Sequence, residues 1–348
     1  MDENHYFCTQ IRKINSFNEQ KSMINRELIR LKVVQLTYAY YENGSSNLDI
    51  AEKELFYSLS KAYDLYMYML ELMVEVNRIA ERTVETAKSR EARLREGLSP
   101  STRFIDNRFI QQLQLNHQLK DFRENQKKTW SDEEDFVRRM YKRVVESEAY
   151  KDWMARTDEP SYDDERQLWR DIYRTVFVDC EDLDQLLEEK SLYWNDDRFI
   201  IDGFVLKTIK RFELRNGANQ PLLPEYRDDE DREFAKRLFR ATLLGAEHYK
   251  SLISQFLRNW ELERVAFMDL VVLQTALAEI FTFPQIPVSV SINEYVEIAK
   301  MYGTPRSGAY VNGMLDSICR RQIEEGRLRK QMTVTKGDAE EADPEEEL

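Results

Sequence analysis

The stretch 286–318 constrains the fold more than any other part of the chain, because it predicts two helices whose ends are marked. Ser291 and Glu294 have the spacing of a capping box, and Gly303 stands where a left-handed C-cap would end the first helix. Thr304, followed by a proline, has the form of an N-cap for the second helix. Apolar residues recur at helical spacing through both segments, so we expect a helical hairpin here.

Composition extends this expectation to the whole chain. The 348 residues include only 10 Gly and 8 Pro, and long runs of Glu, Lys, Arg and Leu dominate. This usage favours an all-α fold. A hydrophobic content of 42% is enough for a sizeable core, and the length allows either one large domain or two domains.

The charge is acidic and unevenly distributed. The net charge is −13, and the last eleven residues carry seven acids and no base, which leaves −6 for the rest. We therefore expect residues 326–348 to form a disordered, solubilising acidic tail. The balance argues against a generally basic nucleic-acid binder but allows a local basic patch.

Neither a membrane segment nor a site for catalysis, a metal or a cofactor is predicted. No apolar run is long enough for a membrane span and no signal peptide precedes the first helix, so a cytoplasmic protein is expected. Three widely spaced cysteines favour reduced thiols. No phosphate-binding or nucleophile motif occurs and the three histidines are scattered, so we expect a protein that is not an enzyme.

The segment 25–41 predicts a strong helix that is apolar around most of its circumference. Asn25 can cap its N-terminus. At about 100° per residue, Arg26, Arg30 and Thr37 fall within a narrow arc and form a small basic ridge. From the residues alone, a solvated edge whose arginine stems cover the core is the favoured interpretation.

Several short segments of the sequence resemble those of a known protein family. The letters IP at 286–287, INE at 292–294, YG at 302–303 and YVNG at 310–313 resemble the C-terminal signature of the NusB family, all-helical bacterial transcription antitermination factors. The letters RLKVVQLTY at 30–38 are similar to the arginine-rich first helix of that family.

The resemblance implies a NusB-like helical bundle with a large helical insertion. Its parts are an N-terminal appendage (1–22), a first helix (23–42), a helical insertion (43–228), the remainder of the bundle (229–325) and the acidic tail (326–348). An insertion of this length must bury its own apolar residues, so it should fold as a helical subdomain.

The resemblance also implies RNA contacts. Tyr310 would stack on an unpaired base, although plain core packing is a rival interpretation for it. The family usually has arginine where Gln274 stands and often where Leu270 stands, which lowers the expected RNA affinity. The residues expected to contact RNA are Arg26, Arg30, Lys32, Gln35, Arg306, Ser307 and Tyr310.

Protein contacts are expected at Asp269 and Arg264, in the region where NusB meets the ribosomal protein NusE. The implied function is binding of boxA-type single-stranded RNA together with NusE, within the RNA polymerase antitermination complex that transcribes ribosomal RNA.

Two alternatives stay open. One is a helical interaction scaffold without RNA binding. The other is a domain related to the helical domains of ribosomal RNA methyltransferases, which needs a sheet with glycine-rich turns.

Overall fold

A computed structural model describes residues 22–94, 100–126, 129–194, 196–257, 265–330 and 332. The all-α prediction is confirmed: the described residues are helical apart from loops and one isolated parallel bridge between Ile24 and Tyr226. No described helix is both long and apolar enough to cross a membrane. The predicted appendage lies outside the described residues except for Ser22.

Fourteen α-helices occur in the described residues, together with short 3-10 segments and one π turn at Tyr173–Phe177. They are α1 (Arg26–Glu42), α2 (Leu48–Leu94), α3 (Arg108–Leu115), α4 (His117–Asn125), α5 (Glu134–Glu146), α6 (Glu148–Ala155), α7 (Tyr162–Ile172), α8 (Glu181–Lys190), α9 (Arg198–Arg211), α10 (Asp229–Leu244), α11 (Ala246–Ser254), α12 (Phe267–Thr282), α13 (Val288–Tyr302) and α14 (Ser307–Glu324).

The chain divides into two compact units. Among the described residues, those within Ser60–Glu225 together with Ser22 and Met23 form the middle unit, and those within Ile24–Leu59 and from Tyr226 onward form the terminal unit. The middle unit therefore begins inside α2, later than the predicted insertion start at residue 43. The first turns of α2 belong to the terminal unit because Asp49 and Glu52 both pair with Arg240 of α10.

The core of the middle unit is strongly aromatic. Tyr68 of α2 stacks on Trp130 with ring centroids 4.2 Å apart, and the Trp130 indole N–H donates to the Tyr68 carbonyl at 2.8 Å. Trp130 and Trp169 are almost completely buried. Large rings supply much apolar area for few residues, so this unit buries a core of its own.

The terminal unit is built around α12. Residues 269–280 are all buried, and α1, α10, α11, α13 and α14 pack around this helix. A helix that is apolar on every side requires neighbours on every side. α12 is therefore the axis from which the other helices of the unit are positioned.

The predicted capping box at Ser291 is wrong. α13 begins at Val288, three residues earlier, and Ser291 lies within the helix with its hydroxyl donating to Glu279 at 2.7 Å. A serine inside a helix can direct its hydroxyl to a tertiary partner instead of its own backbone. The Ser291 hydroxyl therefore bonds to the buried Glu279 carboxylate of α12 and not, as the local sequence pattern predicted, to the backbone at the helix start.

The glycine at the end of α13 is not left-handed, contrary to the prediction. Gly303 has φ −101° and ψ −167°. A Cβ at this position would meet the Ser307 side chain at 2.4 Å and the Ala299 carbonyl at 2.6 Å. Glycine is required here by close approach of the next helix. The prediction of Thr304 as the N-cap of the next helix is wrong, because that helix begins at Ser307 after Arg306; Thr304 lies in the connecting turn, where its carbonyl accepts from Ser307 N at 2.9 Å.

The prediction of a disordered tail from residue 326 is wrong for its first residues. Leu328 is 6% exposed, and the Lys330 ammonium donates to the Ile280 carbonyl at 2.9 Å. The Met332 carbonyl accepts from Ser289 N at 3.0 Å, near the start of α13. This segment satisfies backbone groups at the end of α12 and the start of α13 that helix termini leave without partners. Residues 331 and 333–348 lie outside the described residues.

Candidate nucleic-acid interface

α1 begins as predicted but turns its basic residues inward. The Asn25 side chain accepts from Leu28 N at 2.9 Å, which confirms it as the N-cap. Arg30 is 5% exposed and Lys32 is 2% exposed, whereas the Arg26 side chain is 35% exposed. Because α1 is packed on most of its circumference, the predicted basic ridge is largely an interior feature.

Arg30 belongs to a buried network with Glu279 of α12. Its guanidinium donates to the two Glu279 oxygens at 2.8 and 2.9 Å, and a further nitrogen lies 3.3 Å from Glu294. Ser291 and Tyr295 also donate to Glu279, at 2.7 and 3.1 Å. Burial is the largest single influence and would lower the pKa of Arg30, but the charge and hydrogen bonds of Glu279, together with the Glu294 charge, hold the pKa above its ordinary value. A phosphate contact would require Arg30 to leave this pairing, so its RNA role stays a prediction.

Arg26 is the most accessible cation of α1. Its Nε lies 3.5 Å from Asp231, and its guanidinium lies over the Phe234 ring at 5.1 Å. Stacking holds the guanidinium at the surface, while the neighbouring carboxylate neutralises part of its charge. Arg26 can therefore offer a phosphate contact, though a weakened one.

Gln35 and Gln274 are both engaged within the terminal unit. The Gln35 amide donates to the Tyr302 hydroxyl at 2.7 Å, at the end of α13. Gln274 is completely buried and donates to the Thr242 carbonyl at 2.8 Å. The position at which the resemblance implied arginine therefore faces the interior of the unit.

The start of α14 holds the other predicted RNA residues. Arg306 is exposed, and the Ser307 hydroxyl donates to Asp269 at 3.0 Å. The second oxygen of Asp269 and the Tyr310 hydroxyl are both buried without a hydrogen-bond partner. Burial raises the pKa of Asp269, and the Ser307 hydrogen bond opposes that shift. The pKa of Tyr310 is raised by burial and by the Asp269 charge.

The predicted residues therefore fall into two groups along α12. Asp269 lies in its first turn with Ser307 and Tyr310, whereas Arg26 stacks on Phe234, whose ring contacts Phe283 at its end. At 1.5 Å per residue, the two groups are about 20 Å apart along the helix. Arg264, predicted to bind a protein partner, lies outside the described residues.

Sequence reasoning missed two residues. Glu279 organises the Arg30 network, and Arg237 lies over the Phe283 ring at 4.9 Å beside the Arg26 group. A glutamate in an otherwise apolar helix is a signal that a cation must meet it, because a buried charge is stable only when paired. No comparable feature of the sequence indicated the position of Arg237. Among the described residues, no group of three or more His, Cys, Asp or Glu is arranged to hold a metal ion.

Comparison with known proteins gives consistent matches. The family model described as "NusB family" matches residues 205–320. A transcription antitermination protein NusB from Salinibacter ruber is 40% identical over 132 residues, 36% of this chain and 82% of that protein. NusB from Thermodesulfovibrio yellowstonii is 32% identical over 40% of this chain and 87% of that protein. A solved structure of T. maritima NusB is 35% identical, covers 34% of this chain and 82% of its own, and has a TM-score of 0.26.

Proposed function

Because this chain belongs to the NusB family, we propose that it is an antitermination factor that binds a boxA-type single-stranded RNA together with the ribosomal protein NusE. The bound complex acts within the RNA polymerase antitermination complex on ribosomal RNA transcripts. Most of the affinity comes from the joint complex, because the cations predicted to contact RNA are mostly inaccessible: Arg30 and Lys32 are buried and Arg26 is only partly exposed.

One observation supports the RNA site best: the start of α14 combines an exposed cation with unused hydrogen-bonding groups. Arg306 is exposed, and the Tyr310 hydroxyl and one Asp269 oxygen are buried without partners. A buried polar atom without a hydrogen-bond partner destabilises the protein, so a ligand that supplies the missing partner binds with a gain in free energy. Tyr310 is suited to stack on an unpaired base while Arg306 contacts a phosphate near the helix N-terminus.

The proposed protein contact adjoins the proposed RNA contact. Asp269, the candidate NusE-binding residue, already accepts from Ser307, one turn before Tyr310. A donor from NusE would satisfy the free Asp269 oxygen and change the surroundings of Tyr310. The two ligands would then assist each other through this one pair. Arg264 stays a prediction in the same proposal.

The residues of α1 have different parts in the proposal. Arg26 is a secondary phosphate contact, supported by its 35% exposure. Gln35 retains the proposed base or sugar contact, for which it would have to give up Tyr302. Arg30 and Lys32 are too deeply buried to reach RNA unless their side chains move, so their expected effect is first on folding.

The test is anisotropy of labelled boxA-type RNA titrated with the whole chain, with and without NusE. Tyr310→Leu should weaken the joint complex about tenfold or more, since stacking on a base contributes about 1–3 kcal/mol. Tyr310→Phe keeps the ring and loses only the hydroxyl, so it should weaken the complex less than Tyr310→Leu, by no more than the roughly 0.5–1.5 kcal/mol of one hydrogen bond. Arg306→Gln should reduce the salt slope by about 0.7.

Arg320→Gln provides the matched control for Arg306→Gln. Arg320 is exposed on the same helix and pairs with Asp316 at 2.8 Å, so this variant makes an equal change of net charge away from the site. Equal losses in both variants would show a nonspecific charge effect. No binding with or without NusE, from protein that is folded, would contradict the proposal.

A second candidate function is an interaction scaffold that does not bind RNA. It is favoured by the burial of Arg30 and Lys32 and by the acid beside Arg26. The same titration separates the two functions. A scaffold would assemble with NusE, as measured by analytical ultracentrifugation, while the RNA anisotropy stays unchanged.

A further inference from the structure

Three arginines of the middle unit lie along one side of α7 and the π turn that follows it. Arg166, Arg170 and Arg174 recur at every fourth position, and we call them the arginine stripe. Like charges one turn apart on a helix destabilise it by about 0.2–0.5 kcal/mol per pair. The stripe therefore has a folding cost that neutral side chains would not impose.

The end of α9 brings further cations beside this stripe. The Arg166 guanidinium donates to the Phe212 carbonyl at 2.8 Å, just beyond α9, while the Tyr173 hydroxyl donates to Asp202 near its start. The two helices are therefore antiparallel neighbours. The cations that α9 contributes are Lys207, Lys210 and Arg211, and together with the arginine stripe they form what we call the α7–α9 face.

The positive charge of this face is only partly balanced. Asp163 pairs with Arg166 at 2.6 Å and Asp171 lies 3.6 Å from Arg174. Arg170, between them, donates to the neutral Gln167 at 3.0 Å, and its Nε is buried without a partner. Burial and the adjacent Arg174 lower the pKa of Arg170.

Lys210 and Arg211 are exposed and pair with no carboxylate among the described residues. Residues 60–225 as a whole carry 34 acids against 28 bases. A face with six cations and two carboxylates is therefore a local reversal of charge within an acidic unit. Such a reversal marks a surface for a polyanion.

We propose that the α7–α9 face is a second RNA-contacting surface, which binds the phosphodiester backbone of the transcript that flanks the boxA-type segment. The inference deepens the proposed function and rests on it for the identity of the ligand. The family model begins at residue 205, so the arginine stripe lies outside the matched part. The middle unit thus adds affinity to the contacts proposed for Arg26 and Arg306 in the terminal unit.

The side chains of the α7–α9 face are suited to contact the phosphates of an RNA strand and not its bases. Residues one turn apart place their Cβ atoms about 5–6 Å from one another, a spacing suited to successive phosphates of an extended strand. Lys207 lies over the Phe204 ring at 5.3 Å, but Phe204 itself is buried and cannot receive a base. Contacts to phosphates fix the path of a strand without reading its sequence.

The test compares two RNAs on the whole chain in the presence of NusE. One is the boxA-type segment alone, and the other adds long U-rich flanks on both sides. The variant Arg170→Gln, Lys210→Gln, Arg211→Gln should lose about tenfold in affinity for the flanked RNA at low salt, with a salt slope smaller by about 2. Its affinity for the short RNA should be unchanged.

The matched control neutralises three cations elsewhere in the same unit. Arg138, Lys142 and Lys151 each pair with a glutamate on their own helix, so their change to Gln alters the net charge equally. The pair Lys210→Gln, Arg211→Gln, with both side chains exposed, repeats the test without altering the half-buried Arg170. Like the triple variant, this double variant should bind the flanked RNA more weakly.

The outcomes distinguish this inference from the proposed function. Loss confined to the flanked RNA and to the α7–α9 variants supports the inference, and it does so even if scrambling the boxA segment changes nothing. Equal binding of short and flanked RNA, or an equal loss in the control, overturns it while the boxA proposal stands. Weaker capture of NusE with unchanged RNA binding would show a protein-binding face and also overturns it.

Discussion

The two units each bury an arginine, and the partners of these arginines differ in their distance along the chain. In the terminal unit, Arg30 pairs with Glu279, 249 residues away. In the middle unit, Arg198 reaches Asp202 four residues away, Asp184 fourteen away and the Phe177 carbonyl at the π turn. Both guanidiniums are satisfied, but one network is local and the other joins the two ends of the chain.

This difference explains how a long segment can stand inside the terminal unit. The Arg198 network is complete within residues 177–202, so its formation requires the closure of short loops only. The terminal unit can complete its network only when α1 meets α12 and α13. Lengthening the intervening segment adds little to the entropy of that closure, because the cost rises only with the logarithm of length.

The largest expected effect comes from removing the nonlocal partner. Arg30→Met leaves the Glu279 carboxylate buried with hydroxyl donors alone, which should destabilise the terminal unit by about 3–5 kcal/mol. Hydrogen exchange followed by mass spectrometry, region by region, measures the loss. Faster exchange should be confined to the terminal unit.

The double variant Arg30→Met, Glu279→Met provides the control, because it removes both charges and should recover most of the loss. If Arg30→Met leaves exchange unchanged and weakens RNA binding, Arg30 acts on RNA and its burial is not the decisive property.

A smaller loss is expected from the local network. Arg198→Met removes the donors to the Phe177 carbonyl and to Asp202, and should cost about 2–3 kcal/mol in the middle unit. The loss is limited because burial raises the pKa of Asp202 to about 6, so the orphaned acid can take up a proton. Tryptophan fluorescence during urea unfolding reports it, since Trp130, Trp153 and Trp169 are buried in this unit. A larger loss than for Arg30→Met would reverse the comparison.

The middle unit should also lose stability as the pH rises. Glu71 is almost fully buried, and burial, with the nearby Glu75 charge, raises its pKa to about 7 against the attraction of Arg123 and Arg78. Because the folded state binds this proton more tightly than the unfolded chain, the stability that Glu71 contributes is greatest below pH 4.5. That contribution falls by about 2–3 kcal/mol as the pH rises from 4.5 to 7.

Glu71→Gln should reduce this slope and stabilise the middle unit at pH 8, as measured by urea unfolding across that pH range. The smaller slope that remains is expected from Asp202, whose pKa burial raises to about 6. A slope unchanged from that of the unsubstituted protein would show that Glu71 is not the titrating group.

The smallest effect should be equal in both units. Asn25 caps α1 and Ser161 caps α7, each by accepting a backbone N–H within three residues. Asn25→Ala and Ser161→Ala should each cost about 1 kcal/mol, because a cap depends only on its own helix. Regional hydrogen exchange measures both. Unequal losses would show that packing, not the cap, determines stability at one of these ends.

Much of the fold could be predicted from short-range patterns. The sparse glycine and proline, the helical spacing and Asn25 as a cap all predicted structure that is present. The candidate site was less accessible to such reasoning. The arc of Arg26 and Arg30 predicted a shared surface, but a helical wheel cannot tell which face meets another helix. Arg30 is buried because Glu279, remote in sequence, lies opposite it.

By itself, the sequence determined the all-helical class, most helix positions and the membership in the NusB family, since these depend on residues a few positions apart or on a contiguous motif. Only the tertiary structure decided that Ser291 serves Glu279, that Gly303 makes room for Ser307, and that Arg26 and Tyr310 lie at opposite ends of α12. The physical reason is the same in each case. A polar group takes the partner that burial places beside it, and that partner is chosen by the packing of distant segments.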